Sequence, residues 1–172
     1  MVTTPRPPFA SCWRPAWTHV FGPRHVTDVA SGVELQFPPN VFRQANPDAF
    51  AKIVQAVKDS VGGRVLELYG GVGTIGLSVL EGVERLVCSD ENPNNIAAFE
   101  GARKSLPKQL RKKATYVGLG AEGMVDAGWL EKDFDCVVVD PPRKGCSPPV
   151  LSSINGSKAK KVRGVFSERS HT

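Results

Sequence analysis

Three groups of residues in this 172-residue chain have the types and spacing to hold a nucleotide. The first is Glu67-Leu-Tyr-Gly-Gly-Val-Gly-Thr74, an apolar run passing into Gly70, Gly71 and Gly73. Without side chains there, a ligand can approach the backbone closely. The second is Asp90, about 20 residues further on, where an acid can accept hydrogen bonds from ribose hydroxyls. Its alternative use is as a carboxylate beside Asn92 that stabilises the start of a helix. The third is Asp140-Pro-Pro-Arg-Lys-Gly145, which closes an apolar run with a stiff polar turn. Two prolines fix the backbone, so Asp140 and Arg143 are expected to face one cleft.

Glycine spacing alone leaves the class of nucleotide open. Gly71-Val-Gly-Thr-Ile-Gly76 formally matches a dinucleotide fingerprint, so a nicotinamide cofactor has to be considered. The Asp140 turn weighs against it, because a dinucleotide fold has no need of such a turn.

These groups need elements to position them. Gly32 to Phe37 alternates apolar and polar residues, the pattern of a half-buried strand. Asn46-Pro47 is a helix start, with asparagine as cap and proline at the first helical position. Phe50, Ile53, Val54 and Val57 then form one apolar face, and Gly62-Gly63 stops the helix. Arg64 to Tyr69 reads as a strand, Thr74 to Leu80 as the start of a helix, and Glu84 to Ser89 as a strand. A helix from Asn92-Pro93 to about Leu106 and strands at Thr115 to Leu119 and Asp135 to Val139 follow, with one more strand ending near Phe166. This rhythm predicts an α/β fold with a mostly parallel sheet and helices on both faces. The three groups then share the carboxyl ends of the strands, where such sheets bind ligands. Residues 1–22 are expected to be an extended lead-in or the remnant of a preceding domain, and 23–172 the binding domain.

Composition narrows the setting. The chain is 41% hydrophobic and 23% charged, as in an ordinary globular domain, and has no apolar run near the ~20 residues that span a bilayer. Met1 to Arg14 lacks the apolar core of a secretory signal. Its arginine, serine and lack of acids suit an organelle transit peptide, so cytoplasm and organelle both remain open. Cys12, Cys88, Cys136 and Cys146 are widely spaced and, with three histidines, suggest no metal site. Cys88 and Cys136 lie in strand-like runs and read as small buried thiols. The net charge of +5 is uneven: Ser147 to Thr172 holds five basic residues and one acid. Lys158, Lys160, Lys161, Arg163 and Arg169 make one cluster, and Arg103, Lys104, Lys108, Arg111, Lys112 and Lys113 another. Both read either as solvated surface or as attraction for RNA phosphates.

The strings Leu68-Tyr-Gly-Gly-Val-Gly-Thr-Ile-Gly-Leu77, Asp140-Pro-Pro-Arg-Lys-Gly145 and Phe42-Arg-Gln44-Ala-Asn46-Pro resemble those of the RNA uracil-5-methyltransferases. The Phe21-Gly-Pro23 and Gln44-Ala-Asn46 strings are similar to uncharacterised plant and algal members of that family. The resemblance covers roughly positions 20–150. It implies a Rossmann-like class I fold that binds S-adenosyl-L-methionine and acts on tRNA or rRNA. By it, Gln44, Tyr69, Gly71, Gly73, Thr74 and Asp90 hold the cofactor, and Asp140 lies beside the methyl-transfer site. Arg143 stands where amino-group methyltransferases carry an aromatic ring, which disfavours an amine acceptor.

The departures are as informative. The family usually has cysteine where Gly70 stands, a change expected to be tolerable in a tight loop. The family's adenine-contacting Asn or Asp falls at Gly120, with Glu122 as the nearest polar substitute. The nucleophilic cysteine that adds to carbon-6 of uracil falls at Glu168, and the glutamate that later removes the carbon-5 proton has no counterpart. Cys146 reads as structural. The resemblance therefore implies a sheet short of its last strands, with an exposed edge open to self-association, and no assigned catalytic residue. Two alternatives stand beside the uracil-5 reading: a non-catalytic cofactor- or RNA-binding remnant, and methylation of another acceptor.

Overall fold

The strands are built from alternating residues that face two different cores. In the computed structural model, which describes residues 18–164, Gly63–Leu68 (β3), Val83–Ser89 (β4), Ala114–Val117 (β5), Cys136–Val139 (β6) and Lys161–Gly164 (β7) form one sheet. Its order is β5-β4-β3-β6-β7, and every pairing is parallel. Val65, Leu86, Cys88, Cys136 and Val138 point to one face, and Leu66, Leu68, Val87, Val137 and Val139 to the other. Strands apolar on both faces must be covered on both.

The first face is covered by helices Pro47–Lys58 (α1), Thr74–Ser78 (α2) and Asn94–Ser105 (α3), with hairpin strands Val26–Ala30 (β1) and Val33–Phe37 (β2) packed beside them. The second is covered by Ala121–Asp126 (α5) and Pro148–Gly156 (α6); the short helix Lys108–Arg111 (α4) lies before β5. The expected α/β sheet with helices on both faces is therefore the observed one.

Helix α1 starts as its sequence requires. The Asn46 side chain accepts from the Ala49 N–H at 3.0 Å, and Pro47 occupies the first helical position. Phe50, Val54 and Val57 are buried, whereas Ile53 is left 37% exposed at the margin of that face. The helix ends at Lys58, so Gly62-Gly63 does not stop it; Gly63 already opens β3. Strand β1 and helices α4, α5 and α6 are additions to the elements read from sequence. Polar exposed positions obscured β1, and α5 is too short to develop a period.

The chain enters the sheet at β3, moves outward to β5, and returns to β6 on the other side of β3. The strand order thus reverses between β3 and β6, which opens a crevice at their carboxyl ends. No helix of the described residues is long and apolar enough to cross a membrane.

Candidate functional site

A cleft lies at this reversal, between the β1–β2 hairpin, α1 and the loop after β3. Gln44, Tyr69, Gly71, Thr74 and Asp140 all line it, together with Glu67. Residues spread over nearly 100 positions are brought to one place because the ends of β3 and β6 are neighbours. Arg143 is exposed and stands outside this lining, so the Asp140 turn delivers one of its two polar groups to the cleft.

The loop geometry shows what each glycine does. Tyr69 has φ 59°, a left-handed conformation rare for a side chain of its size, and Gly71 follows at 55°. Serving as the cap of α2, Gly73 has φ 86°. Added side-chain carbons would fare differently at each position. At Gly73 one would lie 2.5 Å from the buried Phe99 ring, and at Gly70 it would overlap the Cys88 thiol. At Gly76 it would overlap the Glu67 carboxylate. Only at Gly71 does it meet nothing within 4 Å. Three of these glycines answer to the protein's own packing, and one leaves room for something else.

The family's usual cysteine at position 70 is therefore not tolerable here, because Cys88 already fills that space from the neighbouring strand. Gly70→Ala is expected to cost about 1–3 kcal/mol by overpacking. Adding Cys88→Ala should recover most of that loss, as measured by urea unfolding. Equal destabilisation in the single and double variants would show that the two positions do not share one space.

Asp90 is a structural tie, half-buried at the end of β4. Its Oδ1 accepts from the Asn92 N–H at 2.8 Å and the Asn95 side-chain amide at 3.0 Å, while its Oδ2 accepts from the Gly71 N–H at 3.1 Å. An ionised carboxylate offers about four acceptor positions, so one remains on Oδ2. Tyr116 holds the other side of Gly71, donating to its carbonyl at 3.1 Å.

The acid that sequence reading missed is Glu67, only 1% exposed. Its Oε1 accepts from the Gly76 N–H at 3.1 Å; its Oε2 accepts from no N–H or O–H among the described residues and has the Cys88 thiol as its neighbour. Burial pushes its carboxyl up to about 7, against the smaller opposing effects of hydrogen bonds from Cys88 and Gly76. Asp140 is raised to about 6, also by burial. A charged residue in the inward phase of an apolar strand was the available signal, because Glu67 shares the Val65 face. The two acids form a cleft floor suited to a cationic or hydrogen-donating group.

The remaining candidates fall elsewhere. Lys160 and Lys161 lie at the amino ends of the strands, where the Lys160 N–H bonds the Asp135 carbonyl and Lys161 reaches the Ser60 carbonyl. Lys158 sits in the same connection between α6 and β7. Lys113 caps the Leu80 and Val83 carbonyls, and Arg103 pairs with Glu100. Lys158, Lys160 and Lys161, and the cluster from Arg103 to Lys113, therefore occupy the end of the sheet opposite the cleft, because each group precedes or opens a strand, whereas Arg163 lies within β7. Arg143 and Lys144 are exposed in the turn after β6, and Arg43, also exposed and paired with Asp28, lines the cleft itself.

Glu122 accepts from the Ser147 hydroxyl at 2.8 Å, which commits one of its oxygens to the Asp140 turn. The Cys88 and Cys136 thiols are buried and raised by that burial; the Cys146 thiol is half-buried and also raised. Cys12, Glu168, Arg169 and most of the 1–22 lead-in lie outside the described residues. Among the described residues no group of three His, Cys, Asp or Glu is placed to hold a metal ion.

No family model matches the chain. It is 34% identical over 143 residues to an uncharacterised RNA methyltransferase of Protochlamydia amoebophila, covering 82% of this chain and 37% of that protein. It is 31% identical over 140 residues to a tRNA (uracil(54)-C(5))-methyltransferase of Pyrococcus horikoshii, covering 81% of this chain and 32% of that protein. The chain thus spans about a third of the length of the curated relatives it matches. Among solved structures, it superposes on the Pyrococcus abyssi tRNA (uracil-54, C5)-methyltransferase in complex with S-adenosyl-L-homocysteine. That match has a TM-score of 0.71 at 24% identity and covers 85% of this chain and 35% of that one, which is a likeness of fold.

Proposed function

The chain belongs with the class I RNA methyltransferases that include the tRNA uracil-54 C5 enzymes, and from that premise we propose that it forms their cofactor-binding unit. In this reading it holds S-adenosyl-L-methionine and presents its methyl group to a uracil in tRNA or rRNA. The observation that carries the reading is the cleft floor. Gly71 leaves open space in a cleft whose lining also includes two desolvated acids, Glu67 and Asp140. A bound S-adenosyl-L-methionine would supply a methyl group on a positive sulfur.

The chain's own residues have separable tasks in this reading. Asp140, and Glu67 in its ionised form, give a cation a poorly solvated acidic surround, where attraction is stronger than in water. Asp90 offers its remaining acceptor position to a ribose hydroxyl. Gln44 and Thr74 border the cleft as hydrogen-bonding groups, and the Tyr69 ring forms part of its wall. Gly71 admits the ligand, while Gly73 sets the loop that presents it. Arg143 and Lys144, at the cleft side of the sheet, are placed to meet RNA phosphates. Strand β7, paired on one side among the described residues, is the edge through which self-association would run.

A second reading is favoured by the cysteines. Methylation of uracil carbon-5 needs a thiolate that adds to carbon-6. Burial raises the three described thiols that the structure places, which disfavours that form. The described residues then bind cofactor or RNA without themselves performing uracil chemistry, or serve another acceptor.

Calorimetry with S-adenosyl-L-homocysteine is the first test, and binding is the expected result. Asp90→Asn should weaken it by about 1.5–3 kcal/mol, the cost of removing a charged hydrogen-bond acceptor. Tight binding of a nicotinamide dinucleotide with none of S-adenosyl-L-homocysteine would overturn the cofactor assignment. Transfer of labelled methyl to RNA, followed by nucleoside analysis, separates the two readings.

A further inference from the structure

Among the described residues that line the cleft, Arg43 is the one cation, set against three acids, Asp28, Glu67 and Asp140. An RNA strand entering the cleft must bring phosphates past this acidic wall. Like charges repel there, so the single cation carries weight out of proportion to its number.

That cation is already occupied. Asp28, on β1, accepts from Arg43 Nε at 2.5 Å and from Nη2 at 2.9 Å, while Nη1 makes no hydrogen bond among the described residues. The two side chains are 39% and 31% exposed, and an ion pair so open to water adds little net stability. Exchanging one partner for another is therefore inexpensive, and Nη1 is free to begin it.

The backbone that carries Arg43 is held independently of the pair. The Asn92 side chain donates to the Asn40 carbonyl at 3.0 Å, and Asn46 caps α1, so the 40–46 segment is anchored at both ends. Phe42 and Gln44 line the cleft on either side of Arg43. A phosphodiester offers two oxygens to a guanidinium in the same fork geometry as a carboxylate. Asp28 thus sits where such a phosphate would sit.

We propose that Arg43 is a receptor for a backbone phosphate of the substrate RNA, and that Asp28 occupies its donors until that phosphate displaces it. This inference rests on the RNA reading of the proposed function. It gives the hairpin a part in RNA binding, as the carrier of a built-in competitor.

The test is fluorescence anisotropy with an end-labelled, unmodified tRNA transcript at several salt concentrations. Arg43→Gln should weaken binding about tenfold at low salt and lower the salt slope by about 0.7–0.9, the share of one phosphate. Asp28→Asn should act in the opposite direction and tighten binding about threefold, because it releases the guanidinium. That gain should vanish when Arg43→Gln is added to it. Glu34→Gln removes a charge from the exposed side of the same hairpin, opposite Val29, and measures the general effect of charge. A pair with a structural role alone predicts that Asp28→Asn weakens binding or leaves it unchanged, and either result would overturn the proposal. So would a gain that Glu34→Gln matches, or one that persists without Arg43. Titration with S-adenosyl-L-homocysteine separates the other available anion, the cofactor's carboxylate. Arg43→Gln should leave that binding unchanged; loss of it with RNA binding intact would assign Arg43 to the carboxylate instead. Failure of wild type to bind either the transcript or total RNA would overturn the RNA reading, and this inference with it.

Discussion

Exchanging Glu67 for glutamine is expected to stabilise the protein at neutral pH and to flatten its stability between about pH 4.5 and 7. In the folded protein the Glu67 carboxyl is raised to about 7 by burial, against an ordinary value of 4.5. The folded state therefore binds this proton more tightly than the unfolded chain does. Its contribution is fully present below about pH 4.5 and is lost as pH rises through 7. A difference of that size corresponds to on the order of 3 kcal/mol, a substantial share of a domain's net stability. Asp140 adds a smaller slope of the same sign, since it too is raised by burial. Asp28 and Asp135 act oppositely: Arg43 and Arg64 hold their carboxyls low, so their contribution is lost only as pH falls below about 4. The measurement is urea unfolding of both proteins from pH 4 to 8. A wild-type slope that survives intact in Glu67→Gln would show that the buried carboxyl is not its source. In the cofactor reading, the same variant should bind the positive sulfonium less well than its neutral counterpart S-adenosyl-L-homocysteine.

Gly73→Ala and Gly71→Ala should fail in different ways, although the two glycines are two positions apart in one loop. At Gly73 an added carbon lies 2.5 Å from Phe99 Cδ2, and φ is 86°. Left-handed strain of about 1–2 kcal/mol and core overpacking of about 1–3 kcal/mol should together cost roughly 2–5 kcal/mol. Phe99 cannot yield easily, because it is fully buried and packs on Tyr116 at 4.8 Å between ring centres. Tyr116 in turn holds the Gly71 carbonyl, so the disturbance travels to the loop itself. At Gly71 the added carbon meets nothing, and only the backbone strain of φ 55° remains. That variant should fold with a loss of about 1 kcal/mol yet lose ligand binding, because its open space is then occupied. Thermal melts and S-adenosyl-L-homocysteine titrations of both variants decide the matter. A Gly73→Ala protein as stable as wild type would remove the packing argument, and a Gly71→Ala protein that binds normally would remove the ligand from that space.

Much of this protein is legible in its amino-acid sequence. The alternating Gly32–Phe37 segment, the short apolar runs and Asn46-Pro47 announce α1 and every strand but β1, because local propensities and caps act within a few residues. The glycine loop, Asp90 and Asp140 could be set at the strand ends from spacing alone, and the parallel sheet followed from the alternation of elements. What sequence could not determine were facts about neighbours across strands. Cys88 fills the space beside Gly70, Phe99 requires the glycine at 73, and Glu67 lies buried against the Gly76 N–H, each a contact between positions 9 to 26 apart. Lys158, Lys160, Lys161 and the cluster from Arg103 to Lys113 look equally suited to RNA in the sequence, and the fold puts them at the amino ends of the strands, away from the cleft. Charge and composition carry no direction; strand polarity does. Only the tertiary structure decides which end of a strand a residue occupies, and therefore which of these groups can meet a ligand.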